Sequence, residues 1–289
     1  MKRILFFFLS SASLAAVAQP KVLTQAIITT KTTIVSPDDD DGGGPPPPPS
    51  ADGAEVRVMR FGGDGETKTV TTLKGDMVKT YSETDMGRFT TLRDNAAKKT
   101  TTLMEMMGTK SGFYATDEEQ EKMRKEMDSL MQSRRQGDGN GDGGFQRSNT
   151  PPTYEVVNAD GTKKIAGLAC KKALVIRTRS NGNKDTTEVW YCPDFKFAGL
   201  STTGGSGGMM GGFIRNAGVG GLDKIEGFPM MYSMNMNRGR KMTVEVTKIV
   251  TDKEISDKEF EVPKDYTLKP MSEMQNGGRG FQIRVGGPN

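Results

Sequence analysis

The sequence predicts a mainly β protein of the α+β class: an antiparallel sheet of many strands with one amphipathic helix packed on it. Three observations carry this. From Glu55 onward, short β-rich runs alternate with Gly, Asp and Asn breaks, the pattern of a strand meander rather than of βαβ units. The segment Asp117 to Arg135 combines helical start and stop signals with apolar residues at helical spacing. Two strand-like runs, Leu168 to Arg179 and Asn183 to Cys192, flank a three-residue turn that ends in glycine.

Taken in chain order, the first residues read as an address. Lys2 and Arg3 precede the apolar run Ile4 to Leu9, and Ala16-Val17-Ala18 has the small-residue form of a cleavage site. Residues 1–18 are therefore expected to be a signal peptide cut after Ala18. No Cys lies beside that site, so no lipid anchor is expected, and no later run is apolar enough to cross a bilayer. The expected location is periplasmic or secreted. The net charge of +4 is halved by losing Lys2 and Arg3. The remaining basic residues are scattered, which does not make the basic face that nucleic acid requires.

The mature domain is expected over 19–270. Val22 to Val35 is rich in Thr and Ile and reads as a strand. Residues 37–50 hold four Asp, three Gly and a run of five Pro after Pro37. This is a low-complexity insert; Asp38 to Asp41 as a calcium site is the weaker reading. Glu55 to Phe61, Lys68 to Leu73, Met77 to Glu83, Arg88 to Arg93 and Lys99 to Met107 are the next strands. Thr116 followed by Glu119 makes a capping box for the helix. Acidic residues at its start and Arg134-Arg135 at its end suit the helix dipole. Met123, Met127, Leu130 and Met131 form one stripe, expected to face the sheet. The insert 137–152 opens with Asp138 to Gly143, which matches half of an EF-hand loop. Asn149 stands where the bidentate Glu belongs and Pro151-Pro152 blocks an exit helix, so a linker is the better reading.

The hairpin that follows is the most informative stretch. With Gly182 at the left-handed position, Arg179 pairs Asn183, Arg177 faces Asp185, Ala173 faces Val189, and Cys170 faces Cys192. Counting out from the loop puts the two cysteines in a non-hydrogen-bonded pair, where α-carbons approach to about 4.5 Å. That lies within disulfide range, and export favours oxidation. A structural Cys170–Cys192 disulfide is expected; two buried thiols or a redox or metal pair are the rivals. A third insert, 204–221, is rich in Gly but fits no phosphate-binding pattern. Beyond it, Met230, Tyr232, Met234 and Met236 alternate onto one strand face. They read as core or cavity lining, with a Cu(I) site of Met230, Met231, Met234 and Met236 as the alternative. Met242 to Val250 is another strand, Phe260 to Leu268 a last packing segment, and 271–289 a flexible tail.

Several stretches together resemble a family of exported bacterial proteins known as a domain of unknown function. They are Leu73-Lys74-Gly75-Asp76-Met77-Val78-Lys79, Ile165-Ala166-Gly167 with Cys170-Lys171-Lys172, Val189-Trp190-Tyr191, Gly227-Phe228-Pro229-Met230, and Phe260-Glu261-Val262-Pro263 to Tyr266. That family is similar to the lipoprotein-carrier (LolA/LolB-like) superfamily. The resemblance implies a curved antiparallel half-barrel with helix on its concave apolar side. It brings no catalytic residue.

Among 289 residues there are 2 Cys, 19 Met and no His. No Ser-His-Asp triad, Cys-His pair or His-ligated metal can be built. The expected function is a non-enzymatic periplasmic protein that binds a lipid, an acyl chain or another hydrophobic ligand, without a cofactor. Leu130, Met131, Trp190, Met230, Tyr232 and Met234 are the expected lining. The other readings are a Met-rich Cu(I) binder, a carboxylate-only enzyme, and an envelope structural module with a protein partner.

Overall fold

The structure, a computed structural model, describes residues 19–37, 65–84, 87–137, 151–198, 200, 220–236 and 239–276. Within these, the side chains of 127, 128, 130–137 and 274–276 are not described. The signal peptide, the strand at Glu55 to Phe61, residues 38–50 and the half EF-hand Asp138 to Gly143 with Asn149 lie outside the described residues. So do residues 201–219, which include 204–219 of the glycine-rich insert.

The strands are β1 (Lys21–Leu23), β2 (Gln25–Val35), β3 (Gly65–Lys74), β4 (Met77–Thr84), β5 (Gly87–Asp94), β6 (Lys99–Met106) and β7 (Thr109–Thr116). After helix α1 (Asp117–Gly137) come β8 (Thr153–Ile165), β9 (Leu168–Thr178), β10 (Lys184–Cys192) and β11 (Phe195–Phe197). Strands β12 (Phe228–Asn235), β13 (Lys241–Val250) and β14 (Thr267–Pro270) and the short helix α2 (Met271–Asn276) complete the chain. The tail expected at 271 thus begins as a helix.

One 12-stranded sheet runs β14-β7-β6-β5-β4-β3-β2-β13-β12-β10-β9-β8. It is curved and open: its edges, β14 and β8, do not meet. Neighbouring strands are antiparallel except β14, which joins β7 in parallel. Three register shifts, in the β8–β9, β10–β12 and β13–β2 ladders, are bulges of the kind that bend a sheet. Pro229 sits at the β10–β12 bulge, where a missing N–H does least harm.

Turn chemistry sets most of the meander. Ala166 and Gly167 both have positive φ, +49° and +82°, between the paired Ile165 and Leu168. Met107 and Gly108 do the same between Met106 and Thr109. These are the two-residue turns whose twist matches a hairpin.

Register divides the sheet into two faces. On one, Ala26, Leu73, Val78, Arg93, Thr100 and Ala115 form a row across β2 to β7. Over β2 and β3 this Leu73 face is covered by the small parallel pair β1–β11, where Phe195 and Phe197 pack with Phe228 at ring separations of 4.8 to 5.8 Å. Over β9, β10 and β12 it is covered by Leu222 and Ile225. The opposite, Leu103 face carries a charged row, Lys31, Lys68, Glu83, Arg88, Glu105 and Lys110. The segment from Asp252 to Tyr266 crosses this face to reach β14. Lys74 meets Asp257 at 2.6 Å, Lys79 meets Glu259 at 3.1 Å and Lys110 meets Asp265 at 2.6 Å along the way. Ile255 and Phe260 are buried beneath it.

Candidate functional site

The Leu73 face over β3 to β7 is built from alternate residues of five strands. One row is Thr71, Thr80, Thr91, Thr102 and Phe113; the next is Thr69, Ser82, Phe89, Met104 and Ser111. Phe89 pairs directly with Met104, and Phe113 with Thr102. Threonine suits this place because its β-branch packs on a pleated surface while its hydroxyl stays available. Met104 and Thr102 are each 4% exposed, whereas Phe89 and Phe113 are half-buried. Thr102 Oγ1 has no hydrogen-bond partner among the described residues. An unpaired buried hydroxyl costs about 1–3 kcal/mol.

Helix α1 starts on this same face. Arg93 reaches across from β5, with Nη2 donating to Asp117 Oδ2 at 2.8 Å and Nη1 to Thr100 Oγ1 at 3.2 Å. The hydrogen bond to Asp117 lifts the Arg93 guanidinium further above its ordinary range. The predicted capping box is formed: Thr116 N–H donates to Glu119 Oε2 at 2.7 Å and Glu119 N–H to Thr116 Oγ1 at 3.2 Å. From Glu118 to Glu126 the helix is charged and mostly exposed, with Gln120 and Met123 half-buried. No described helix side chain belongs to either buried cluster, so packing of α1 on the sheet is not seen over this part. A depression beside it is lined by the charged residues Lys98, Asp117, Glu118, Glu121, Lys122 and Lys125.

The expected lining residues separate. Leu130 and Met131 lie outside the described side chains. Met230 is 1% exposed inside the Phe195–Phe228 core. Met234 is buried under Leu222 and Ile225, and Tyr232 packs beside it. Burial pushes the Tyr232 phenol up to about 12. Trp190 alternates with the buried Val189 and Tyr191, so it faces away from Tyr232 and Met234. Its Nε1 donates to Glu188 Oε1 at 2.8 Å, and the Lys163 and Lys172 ammonium groups lie 5.9 and 5.8 Å from its ring. Lys172 also holds Glu188 at 2.6 Å and keeps its carboxyl below the usual range. The four described residues, Trp190, Met230, Tyr232 and Met234, therefore do not surround one cavity. Met230 and Met234 are packed into the protein's own buried clusters.

The thioethers divide as well. Met231 pairs with Trp190 and receives Lys163 Nζ at 3.3 Å from its sulfur. Met230 and Met234 are enclosed on the other side, and Met236 packs against the Leu222 cluster. Cys170 and Cys192 are buried and stand as free thiols. The hairpin holds the predicted register from Lys184 opposite Thr178 to Tyr191 opposite Lys171, with Gly182 at φ +82°. The Phe89, Thr102, Met104 and Phe113 set was missed from sequence. Its signal, apolar residues alternating with Thr on paired strands, is visible only once the register is known.

A mostly β protein whose large curved sheet stays open, with apolar and hydroxyl side chains mixed on one face, is the class that fold and site define. A family model described as a domain of unknown function (DUF4412) matches residues 145–266, which is β8 to β13 and the crossing segment. No curated protein matches the chain. Among solved structures, PNGF-II in two crystal forms is 12% and 15% identical, with TM-scores of 0.36 and 0.35. The comparison covers 87% and 90% of this chain but only 32% and 33% of those, so the chain spans about a third of their length. A Vibrio parahaemolyticus domain described as outer membrane lipoprotein-sorting is 10% identical at a TM-score of 0.26, over 82% of this chain and 89% of that one. Likenesses this distant say nothing of a ligand or a reaction.

Proposed function

We propose that this is an exported, non-catalytic binding protein that holds an apolar ligand with a polar end, such as a lipid or acyl chain. The ligand lies against the Leu73 face over β5 to β7. The half-buried Phe89 and Phe113, on one face with the buried Met104 and Thr102 they pair with, are the observation that carries this reading. Phe89 and Phe113 supply dispersion contacts, and the half-buried hydroxyls of Thr91 and Ser111 on the same face meet the polar end.

Organic extraction of the purified, exported protein followed by lipid mass spectrometry tests it. An acyl-chain compound is expected at near-stoichiometric yield. Phe113→Ser forfeits about 1.4 kcal/mol of apolar contact, roughly half the burial of one Phe side chain, and weakens binding about tenfold. A protein that neither carries nor takes up any apolar compound contradicts the proposal.

A further inference from the structure

We propose that Cys170 and Cys192, unbonded thiols in this structure, are oxidised during folding in the exporting compartment to a buried cross-strand disulfide that acts as a permanent staple rather than a redox-active pair. The inference is independent of the ligand reading. The β9–β10 register ends at Tyr191 opposite Lys171; continued by one step it would set Cys192 against Cys170, and the Cys192 sulfur is close enough to act on the Cys170 thiol. Directly opposed residues share a face of the ladder. The loop-closing bond, Arg179 N–H to Asn183 O at 2.8 Å, fixes which pairs exchange hydrogen bonds. Alternation from there makes the cysteines a non-hydrogen-bonded pair, with α-carbons at about 4.5 Å, inside the span a disulfide bridges.

Both residues are essentially sealed, at 1% and 0% exposure, in the cluster that holds Ile165, Phe195, Phe197 and Phe228. On the other side of Cys192, Gly227 approaches so closely that a β-carbon there would lie 2.2 Å from the Cys192 carbonyl oxygen. Neither strand can swing aside in the folded state without breaking this packing. Burial, then the neighbouring Cys192 sulfur, pushes the Cys170 thiol up to about 11, and burial also raises Cys192. Protonated thiols do not attack a disulfide, so the bond must form before β9 and β10 are enclosed.

The chemistry is thiol–disulfide exchange with a disulfide-bearing oxidant of the exporting compartment. One cysteine thiolate attacks that disulfide and one oxidant sulfur leaves as thiolate. The second cysteine then displaces the other, and the Cys170–Cys192 bond closes. The chain gives up two protons and two electrons, and the oxidant is reduced to two thiols.

Exported full-length protein, alkylated with iodoacetamide at lysis, is denatured without reductant, alkylated again and weighed intact. The expected mass lacks two hydrogen atoms and carries no adduct. Reductant added to the native protein leaves that mass unchanged, and reductant with urea yields two adducts. Two adducts without reductant overturn the disulfide. A reductant-sensitive dimer overturns the intrachain pairing. Reduction of the native protein overturns the sealed staple.

Discussion

Replacing Gly227 with alanine tests the closeness of β10 and β12 without touching any charge. A β-carbon there would sit 2.2 Å from the Cys192 carbonyl oxygen, 2.7 Å from Tyr191 Cδ2 and 2.9 Å from the Cys192 carbonyl carbon. The oxygen belongs to backbone, so relief requires the strands to part by about 1 Å toward ordinary contact distance. The parting falls where Cys192 pairs Phe228 and Tyr191 pairs Pro229. Overpacking strain of about 1–3 kcal/mol is joined by roughly 1 kcal/mol for a weakened ladder bond. Together they destabilise the fold by about 3 kcal/mol. For a domain of this size that lowers Tm by roughly 6–12 °C. Urea denaturation followed by circular dichroism reads the change, with the exposed Glu226→Ala as control, expected within about 0.5 kcal/mol of the parent. A Gly227→Ala protein as stable as that control would refute the close approach.

Other outcomes follow from single contacts. Thr116→Ala removes half of the capping box and lowers stability by about 1 kcal/mol, seen as a lower urea midpoint. Lys172 depresses the Glu188 carboxyl, so its contribution is present above the ordinary Glu value near about 4.3 and is lost as pH falls through the depressed folded value. Glu188→Gln is therefore expected to lower the neutral plateau of a stability–pH curve slightly and to flatten the acid limb by the same amount, the two curves meeting below the depressed folded value. Tyr232 has the opposite sense: its folded value is raised to about 12, so stability is full below the unfolded value near about 10 and falls as pH rises through 12. Ultraviolet titration should show the same step near about 10 in the parent and in Tyr232→Phe, the variant losing only a phenol that ionises at about 12. Its ionisation in that group would contradict the burial.

The readable parts of the chain were those with local chemistry. Thr116 and Glu119 announced the helix, and Gly182 with its flanking runs set the β9–β10 register residue for residue. The strands from Lys68 to Met106 were legible because Gly75-Asp76 and Asp94-Asn95 punctuate them. Strand β7 was not, because its turn is Met107-Gly108, and Met107 at φ +50° is an uncommon left-handed residue without the usual Asn or Asp. Strand β8 escaped because Asp160-Gly161, a turn signal, lies inside it at a bulge. The break at Thr24 that splits Val22 to Val35 depends on β1 pairing with β11, a contact across most of the chain. The candidate site failed for a related reason. Alternation along β12 correctly put Met230, Tyr232 and Met234 together, but whether a face is filled by the chain's own Leu222, Ile225 and Phe228 is decided by distant segments. The Thr102 face needs four registers at once.

Photo-crosslinking with a diazirine-bearing fatty acid, followed by peptide mapping, tests the binding face most directly. The account predicts saturable labelling of peptides holding Phe89, Met104 and Phe113, displaced by unlabelled acyl chain and reduced about tenfold in Phe113→Ser. Labelling confined to the Trp190–Met231 surface, or none above a denatured control, would contradict it.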